Sequence, residues 1–362
     1  MKKLILAAAM VTITLAACSA GSNQAPAATV TAAAVTRTGA GQPGGAALNS
    51  ASPVVGVNLY ALHNYTAAQT AADGARTLSY IKNNLHANAV DLVWNMFVPG
   101  RHANSVVTSE DTLSAANIAI LTQLAQGYGL YVEYRPLLFV QTSGNTWEGY
   151  VDPSDPNEWF DSYYEQNLPY LTMAQRYHIN EYVIGTEMKD LTPDKDWAPF
   201  LARAAKVFTG QISYTQWEGI YFAPETALPP TNLTGVDMYE ALNLPASAST
   251  VEVTAAYEEF FANMPASLLA RTAIQETGIE ARDGAYANPP NLGTVGDPNE
   301  SVQYNWFIAG CEAVKRFHLR GIFFWKVDLS DYPLTHPASS LSTFEGRQGA
   351  VAISMCGGII NG

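Results

Sequence analysis

The sequence predicts an α/β protein folded as one (β/α)8 TIM barrel, and three observations predict it. Short runs rich in β-branched and aromatic residues recur between Val54 and Val327, eight in all, and runs of that composition read as strands. Longer stretches with helical periodicity stand between most of them, the alternation of a parallel sheet covered by helices. The units repeat about every 38 residues, which suits a barrel of ~250 residues or more. The alternative is an open, doubly wound sheet. It would usually carry a glycine-rich phosphate loop after its first strand. That position reads Asn58-Leu59-Tyr60-Ala61-Leu62-His63, and no Walker A motif occurs anywhere.

The elements follow in order. Strand Val54–Tyr60 leads to helix Ala67–Leu85, and strand Ala89–Phe97 to helix Ser114–Gln126. Strand Leu130–Leu137 leads to helix Asn157–Tyr177, which Asp155-Pro156 opens. Strand Glu181–Glu187 leads to helix Trp197–Phe208 through the turn signal Thr192-Pro193-Asp194. Strands Gln211–Trp217 and Leu233–Tyr239 come next, then helix Ser249–Ala262. Strand Arg271–Thr277, helix Val302–Phe317 and strand Gly321–Val327 complete the set.

Residues 1–52 stand apart from this pattern. Lys2 and Lys3 precede an apolar stretch, Leu4 to Ala17, too short to span a bilayer and typical of a signal peptide. It ends in Leu15-Ala16-Ala17-Cys18, which resembles a bacterial lipobox. The resemblance implies that residues 1–17 are removed and that Cys18 is lipidated as the mature N-terminus. A membrane anchor in the cell envelope is then expected. Ser19 stands where an inner-membrane retention signal has Asp, so the outer membrane is implied in a Gram-negative host, and otherwise the outer face of the cell membrane. Residues 18–52 are mostly Ala, Gly, Thr, Ser, Pro and Gln with one charge, Arg37. They read as a flexible tether with a reach of roughly 30 Å, and residues 53–362 as the barrel. Cys311 and Cys356 are the other cysteines. An oxidising compartment would allow them to pair, but their spacing does not decide it.

Charge narrows the partners. The 19 Lys and Arg against 32 Asp and Glu give −13, and no basic run occurs, so the chain repels phosphate backbones and nucleic acid is not expected. An apolar share of 48% excludes a disordered chain. Only 14% of residues are charged, while Tyr, Phe and Trp number 19, 13 and 7. Such a surface suits a neutral, ring-shaped ligand. Aromatic side chains equally well fill a core, and composition does not choose.

The strand ends choose. In a barrel, groups that act on a ligand sit at the C-terminal ends of strands. The fourth strand ends in Ile184-Gly185-Thr186-Glu187 and the seventh in Ile274-Gln275-Glu276-Thr277-Gly278. Two carboxyls three strands apart face each other across the mouth. Retaining glycoside hydrolysis uses such a pair, about 5–5.5 Å apart. One protonates the departing glycosidic oxygen and later activates water; the other attacks the anomeric carbon. Partial burial and mutual repulsion raise the pKa of the acid. Trp325, ending the eighth strand, offers an indole platform for a sugar face. Tyr239 is placed to hydrogen-bond Glu276, Arg135 to pair with a carboxylate or bind sugar hydroxyls, and Trp217 to add a second platform. For Tyr239, Arg135 and Trp217 plain packing is an equal reading. The histidines form no recognisable site: His63 is placed to line the cleft, and His86 and His178 read as packing or surface groups. No cofactor or metal is called for.

These residues resemble clan A glycoside hydrolases, and most closely the family 113 β-mannanases. The similarity runs through Arg135-Pro136, Trp147-Glu148-Gly149, Asp152-Pro153 and Trp159-Phe160-Asp161-Ser162-Tyr163. It continues through Gly185-Thr186-Glu187-Met188, Ser213-Tyr214-Thr215, Gly235-Val236-Asp237-Met238-Tyr239, Glu276-Thr277-Gly278, Gln303-Tyr304 and Gly321-Ile322-Phe323-Phe324-Trp325. The resemblance implies Glu187 as acid/base, Glu276 as nucleophile, and hydrolysis of β-1,4-mannosidic bonds in a polysaccharide or oligosaccharide with retention. One position departs. Many clan members have Asn before the acid/base, where it contacts the sugar 2-hydroxyl; Thr186 stands here and reaches less far. Two alternatives stay open: the same chemistry on another β-glycan, and a non-catalytic carbohydrate-binding lipoprotein on a barrel scaffold. A monomer is expected.

Overall fold

Eight strands run in chain order around a closed barrel, each parallel to its neighbours. They are β1 (Val54–Ala61), β2 (Ala89–Val98), β3 (Tyr131–Val140), β4 (Glu181–Thr186), β5 (Gln211–Trp217), β6 (Leu233–Asp237), β7 (Thr272–Thr277) and β8 (Gly321–Asp328). The barrel closes where β1 pairs with β8 as well as with β2. The helices are α1 (Ala67–Asn83), α2 (Ala115–Gly127), α3 (Pro156–Tyr177), α4 (Trp197–Ala204), α5 (Thr250–Ala262), α6 (Ala266–Leu269), α7 (Glu300–Phe317) and α8 (Gln348–Asn361). This is the (β/α)8 barrel that the sequence predicts. The structure is a computed structural model and describes residues 52–142, 146–217, 219, 228–290, 293–330 and 340–362. The chain divides into two units, Met1–Pro43 and Gly44–Gly362, and every described residue belongs to the second. Residues 1–51, with the expected signal, Cys18 and nearly all of the tether, lie outside the described residues.

Local chemistry starts and stops the helices. Thr66 and Ser249 open α1 and α5 through capping boxes with Gln69 and Glu252. Asp155 caps α3 just before Pro156, as its Asp-Pro signal predicts. α3 and α7 end on His178 and His318, which take left-handed backbone with φ of 49° and 54°. That conformation terminates a helix, so these histidines are helix stops.

The outer faces of the strands and the helices hold the apolar core. Trp94 stacks on Tyr170 with ring centroids 4.4 Å apart. Trp159, Phe160, Tyr163, Trp197 and Phe200 form one aromatic layer between α3 and α4. Four of the seven tryptophans, Trp94, Trp159, Trp197 and Trp306, are fully buried there. Each buried large apolar side chain contributes about 1.5–3 kcal/mol.

Most boundaries shift by a residue or two, and three differences from the sequence reading have a visible cause. β3 runs on to Val140, past Pro136. Its ladder with β4 stops at Tyr134–Tyr182, so the missing N–H of Pro136 leaves no gap there, while the ladder with β2 continues to Val98–Val140. α4 stops at Ala204, and Phe208 instead buries its ring after a turn. α8 goes unseen in the sequence because Gly349, Gly357 and Gly358 disguise its helical pattern. A cross-link compensates: Cys311 on α7 and Cys356 on α8 form a disulfide with Cα atoms 5.4 Å apart.

Replacing both cysteines by Ser should lower the unfolding free energy by about 2–4 kcal/mol. The measurement is the urea midpoint, and an unchanged midpoint would contradict a stabilising role.

Candidate active site

The barrel axis is polar rather than aliphatic. Asn58, Asp91, Glu133, Arg135, Glu181, Ser213, Thr215, Asp237 and Gln275 are at most 1% exposed. Gln275 ties the strands together. Its amide nitrogen donates to Glu181 Oε1 at 3.2 Å, and to Glu133 Oε2 and Ser213 Oγ at 3.3 Å each. Its carbonyl oxygen accepts from the Thr215 hydroxyl. Gly235 makes room for it: a Cβ there would lie 1.8 Å from Gln275 Oε1. At the N-terminal end, Arg320 donates to Glu181 Oε2 at 2.8 Å. Burial works to raise the Glu181 pKa, but Arg320, with help from Ser213 and Tyr131, brings it below its ordinary value. Glu133 lacks such a close cation, and burial together with the charge of Glu181 pushes it well up.

Nearer the C-terminal end, Arg135 on β3 organises the floor of the site. Its Nε lies 2.8 Å from Asp91 Oδ2. Nη1 donates to Glu276 Oε1 at 2.7 Å and lies 3.5 Å from Asp237 Oδ1. Nη2 donates to the carbonyl oxygen of Gln275 at 2.6 Å. Asn58 donates to Asp91 Oδ2 at 2.8 Å. Tyr239, just past β6, donates its hydroxyl to Glu276 Oε2 at 3.2 Å. Each oxygen of Glu276 therefore receives a donor. Burial raises the Glu276 pKa from 4.5 to about 7 against the pull of Arg135; Asp91 adds to the rise and Tyr239 opposes it. Asp237, opposite Glu276 in the β6–β7 register, is pushed well up by burial and by the Glu276 charge.

Glu187 follows β4 directly. Its φ of 47° is left-handed, a conformation that costs a non-glycine residue about 1–2 kcal/mol. It turns the chain out of the barrel while Glu187 N–H still donates to Thr215 O at 3.0 Å. The indole N–H of Trp147 donates to Glu187 Oε2 at 2.5 Å. Trp147 lies in the β3–α3 loop, bridged to Phe139. Glu187 and Glu276 line one cleft of about 350 Å³, together with Glu148, Asp237, Tyr239 and Trp325. Trp325 packs against Tyr60 with ring centroids 5.6 Å apart, and its peptide bond to Lys326 is cis. A second hollow, about 660 Å³, opens at the opposite end around Arg320 and Ser52–Val54. Chemistry on barrels belongs to the C-terminal end, and neither strand-end Glu faces that hollow.

The structure brings Glu187, Glu276, Tyr239 and Trp325 to one cleft, places Arg135, Trp217 and Thr186 outside its lining, and shows, of the two expected roles of Arg135, the pairing with a carboxylate. Arg135 is 0% exposed; with Asp91, Asp237 and Glu276 around its guanidinium, no sugar hydroxyl reaches it. Trp217 stands behind Trp147, edge-on at 5.9 Å, and is not part of the cleft lining. Thr186 is buried, and its hydroxyl has no hydrogen-bond partner among the described residues. Thr186 is not among the residues that line the cleft. Sequence reasoning missed Glu148 and the Trp147–Glu187 bond because strand-end logic looks past loop residues. It missed Asp91 and Asp237 because mid-strand acids carry no positional signal of their own.

The raised Glu276 pKa carries a sign for stability. Between about pH 4.5 and 7 the folded chain holds a proton that the unfolded chain has released, so this group's contribution falls as pH rises through that window. Gln carries no charge at any pH. Glu276→Gln should therefore raise Tm relative to the wild type by more at pH 8 than at pH 4.5. A gap no larger at pH 8 would contradict the raised pKa.

Comparison with known proteins gives concordant results. The model of Glycoside Hydrolase Family 113 matches residues 63–344. A family 113 β-1,4-mannanase structure superposes with a TM-score of 0.70 at 16% identity, over 85% of this chain and 99% of the other. The family 113 β-mannanase of Alicyclobacillus acidocaldarius, in complex with ManMIm, gives 0.69 at 19% identity, over 85% and 98%. A GH5_18 structure from Streptomyces cattleya, in complex with GlcNAc, gives 0.55 at 13% identity, over 84% and 80%. At these identities the likenesses show the shared barrel. No curated protein sequence matches. The family match covers most of the barrel and both strand-end carboxyls, and the chain belongs to glycoside hydrolase family 113.

Proposed function

We propose that this glycoside hydrolase is a retaining endo-β-1,4-mannanase that works as a monomer. The observation that carries the reading is the pair of carboxyls in one cleft with different surroundings. Glu276 accepts from Arg135 and Tyr239, which orients it and favours its anion as nucleophile. Glu187 accepts from the Trp147 indole N–H and serves as acid/base. In the first step a Glu276 oxygen bonds to the anomeric carbon while Glu187 gives its proton to the departing glycosidic oxygen. In the second, Glu187 takes a proton from water, the water oxygen attacks the same carbon, and Glu276 leaves. Two displacements restore the original configuration. Trp325, backed by Tyr60, offers the ring face for a sugar.

Mannan is favoured as substrate because the family 113 structures that superpose here are named as β-mannanases. The proposed location is the cell envelope, through lipid on Cys18. The Cys311–Cys356 disulfide supports export, since disulfides persist in oxidising compartments. Ser52–Val54 lie at the end of the barrel away from the cleft.

The test is hydrolysis of mannan, glucomannan, xylan and β-glucan by the purified protein, with product configuration read by NMR. Mannan and glucomannan should be cut with retention. Glu276→Ala should fall to background, and Glu187→Ala should lose about 10²–10⁴-fold on substrates with poor leaving groups. Azide should rescue Glu276→Ala with an inverted product. Full activity in both variants would sink the assignment, and cleavage confined to β-glucan or xylan would replace the substrate.

A further inference from the structure

Of the carboxyls lining the cleft, Glu148 has no assigned work. It sits on a short turn, Glu148–Tyr150, directly after Trp147. That turn is held firmly. Trp147 bonds Glu187, bridges to Phe139 and meets Tyr150 edge-on at 5.3 Å. Gly149 lies under the Trp147 ring, where a Cβ would come within 2.5 Å of it. The backbone carrying Glu148 is thus fixed by the same indole that fixes Glu187.

The neighbouring charges are already matched. Glu276 has Arg135 and Tyr239. Asp328 pairs with Lys326. Arg101, on the same side of the site, pairs with Asp190 at 3.0 Å. Among the described residues, no side chain bonds or pairs with the Glu148 carboxyl, which nonetheless faces the cleft. A carboxyl that lines a cleft without a partner side chain keeps hydrogen-bonding capacity for whatever enters. A ligand in the cleft can take up that capacity.

We propose that Glu148 is a substrate-binding residue, its carboxyl bonding a hydroxyl of the sugar held at Glu187 and Glu276. The inference rests on the glycosidase reading above and adds a contact to it. Burial and the Glu276 charge raise the Glu148 pKa from 4.5 to about 8, against its own backbone N–H and Arg135. The raised pKa favours the neutral acid, which both donates and accepts and so matches a sugar hydroxyl. Glutamine reproduces that capacity and alanine does not.

The test compares Glu148→Ala and Glu148→Gln with the wild type on whichever of mannan, glucomannan, xylan or β-glucan the wild type hydrolyses. Loss of one sugar hydrogen bond should raise KM about tenfold in Glu148→Ala with kcat within about threefold and Tm unchanged. Glu148→Gln should recover most of that loss at pH 6. An unchanged KM in Glu148→Ala overturns the inference while leaving the hydrolase reading intact. So does a fall in kcat at constant KM, which would move Glu148 from binding to the chemical step. A loss of Tm that Gln does not restore would mark a structural role instead. If the wild type hydrolyses none of the four glycans, the functional reading falls and takes this contact with it.

Discussion

The site depends on one guanidinium buried among carboxyls. Arg135 is enclosed on the barrel axis with Asp91, Asp237 and Glu276 within 3.5 Å and Glu133 at 3.9 Å. A buried ion survives only when paired, and each further carboxylate must either share that one positive charge or take up a proton. Arg135 stays charged, its pKa driven up by its acids against the cost of burial. Glu276 and Asp91 compete for it at the shortest distances. Asp237, further off, is held least, and burial with the Glu276 charge pushes its pKa well up. The geometry of one cation thus decides which acid keeps a usable anion, and Tyr239 tilts the balance towards Glu276. The same crowding destabilises the fold as carboxyls ionise, so the chemistry is installed at the expense of stability.

That arrangement is possible because apolar packing has been moved outward. Barrels commonly fill their interior with layers of Val, Ile and Leu. Here the interior carries Glu133 and Glu181 around Gln275, and Asp91 and Asp237 around Arg135. The apolar core instead lies between strands and helices, where the Trp94, Trp159, Trp197 and Trp306 clusters form. Hydrogen bonds that cross the axis, such as those of Gln275 to three strands, fix the relative height of the strands. Height matters, because a shift of β7 against β3 would pull Glu276 off Arg135. The outer layer supplies cohesion and the inner layer supplies register.

This division explains what the sequence reveals and what it hides. β-branched strands and capped helices follow local rules, so the eight strands and most helices are legible within a few residues. Asp155-Pro156 announces α3 because capping is a matter of adjacent residues. Glu187 and Glu276 are legible because a carboxyl at the end of an apolar strand is out of place. Arg135 is visible as a residue but not as a buried one. Nothing local says that Asp91, Asp237 and Glu276, from three other strands, close around it. The left-handed backbone of Glu187 and the indole bond from Trp147 are likewise tertiary, formed between a strand end and a loop 40 residues apart in sequence. α8 is hidden for the opposite reason: its glycines weaken the local signal, and a disulfide makes up for it.

The aromatic surplus, which composition left undecided, divides along the same line. Four tryptophans belong to the outer core. The other three, Trp147, Trp217 and Trp325, gather at the mouth, and two of them touch the cleft chemistry directly. Trp147 holds the acid/base candidate and Trp325 backs the nucleophile side. Carboxyls dominate the lining: Glu148, Glu187, Asp237, Glu276 and Asp328 face the cleft, and Lys326, the one cation among the described lining residues, is already paired with Asp328. Among the described lining residues no unpaired cation is offered to a carboxylate. Hydroxyl groups and C–H ring faces meet donors, acceptors and indoles. Two of those acids, Asp237 and Glu276, are the same ones that crowd around Arg135.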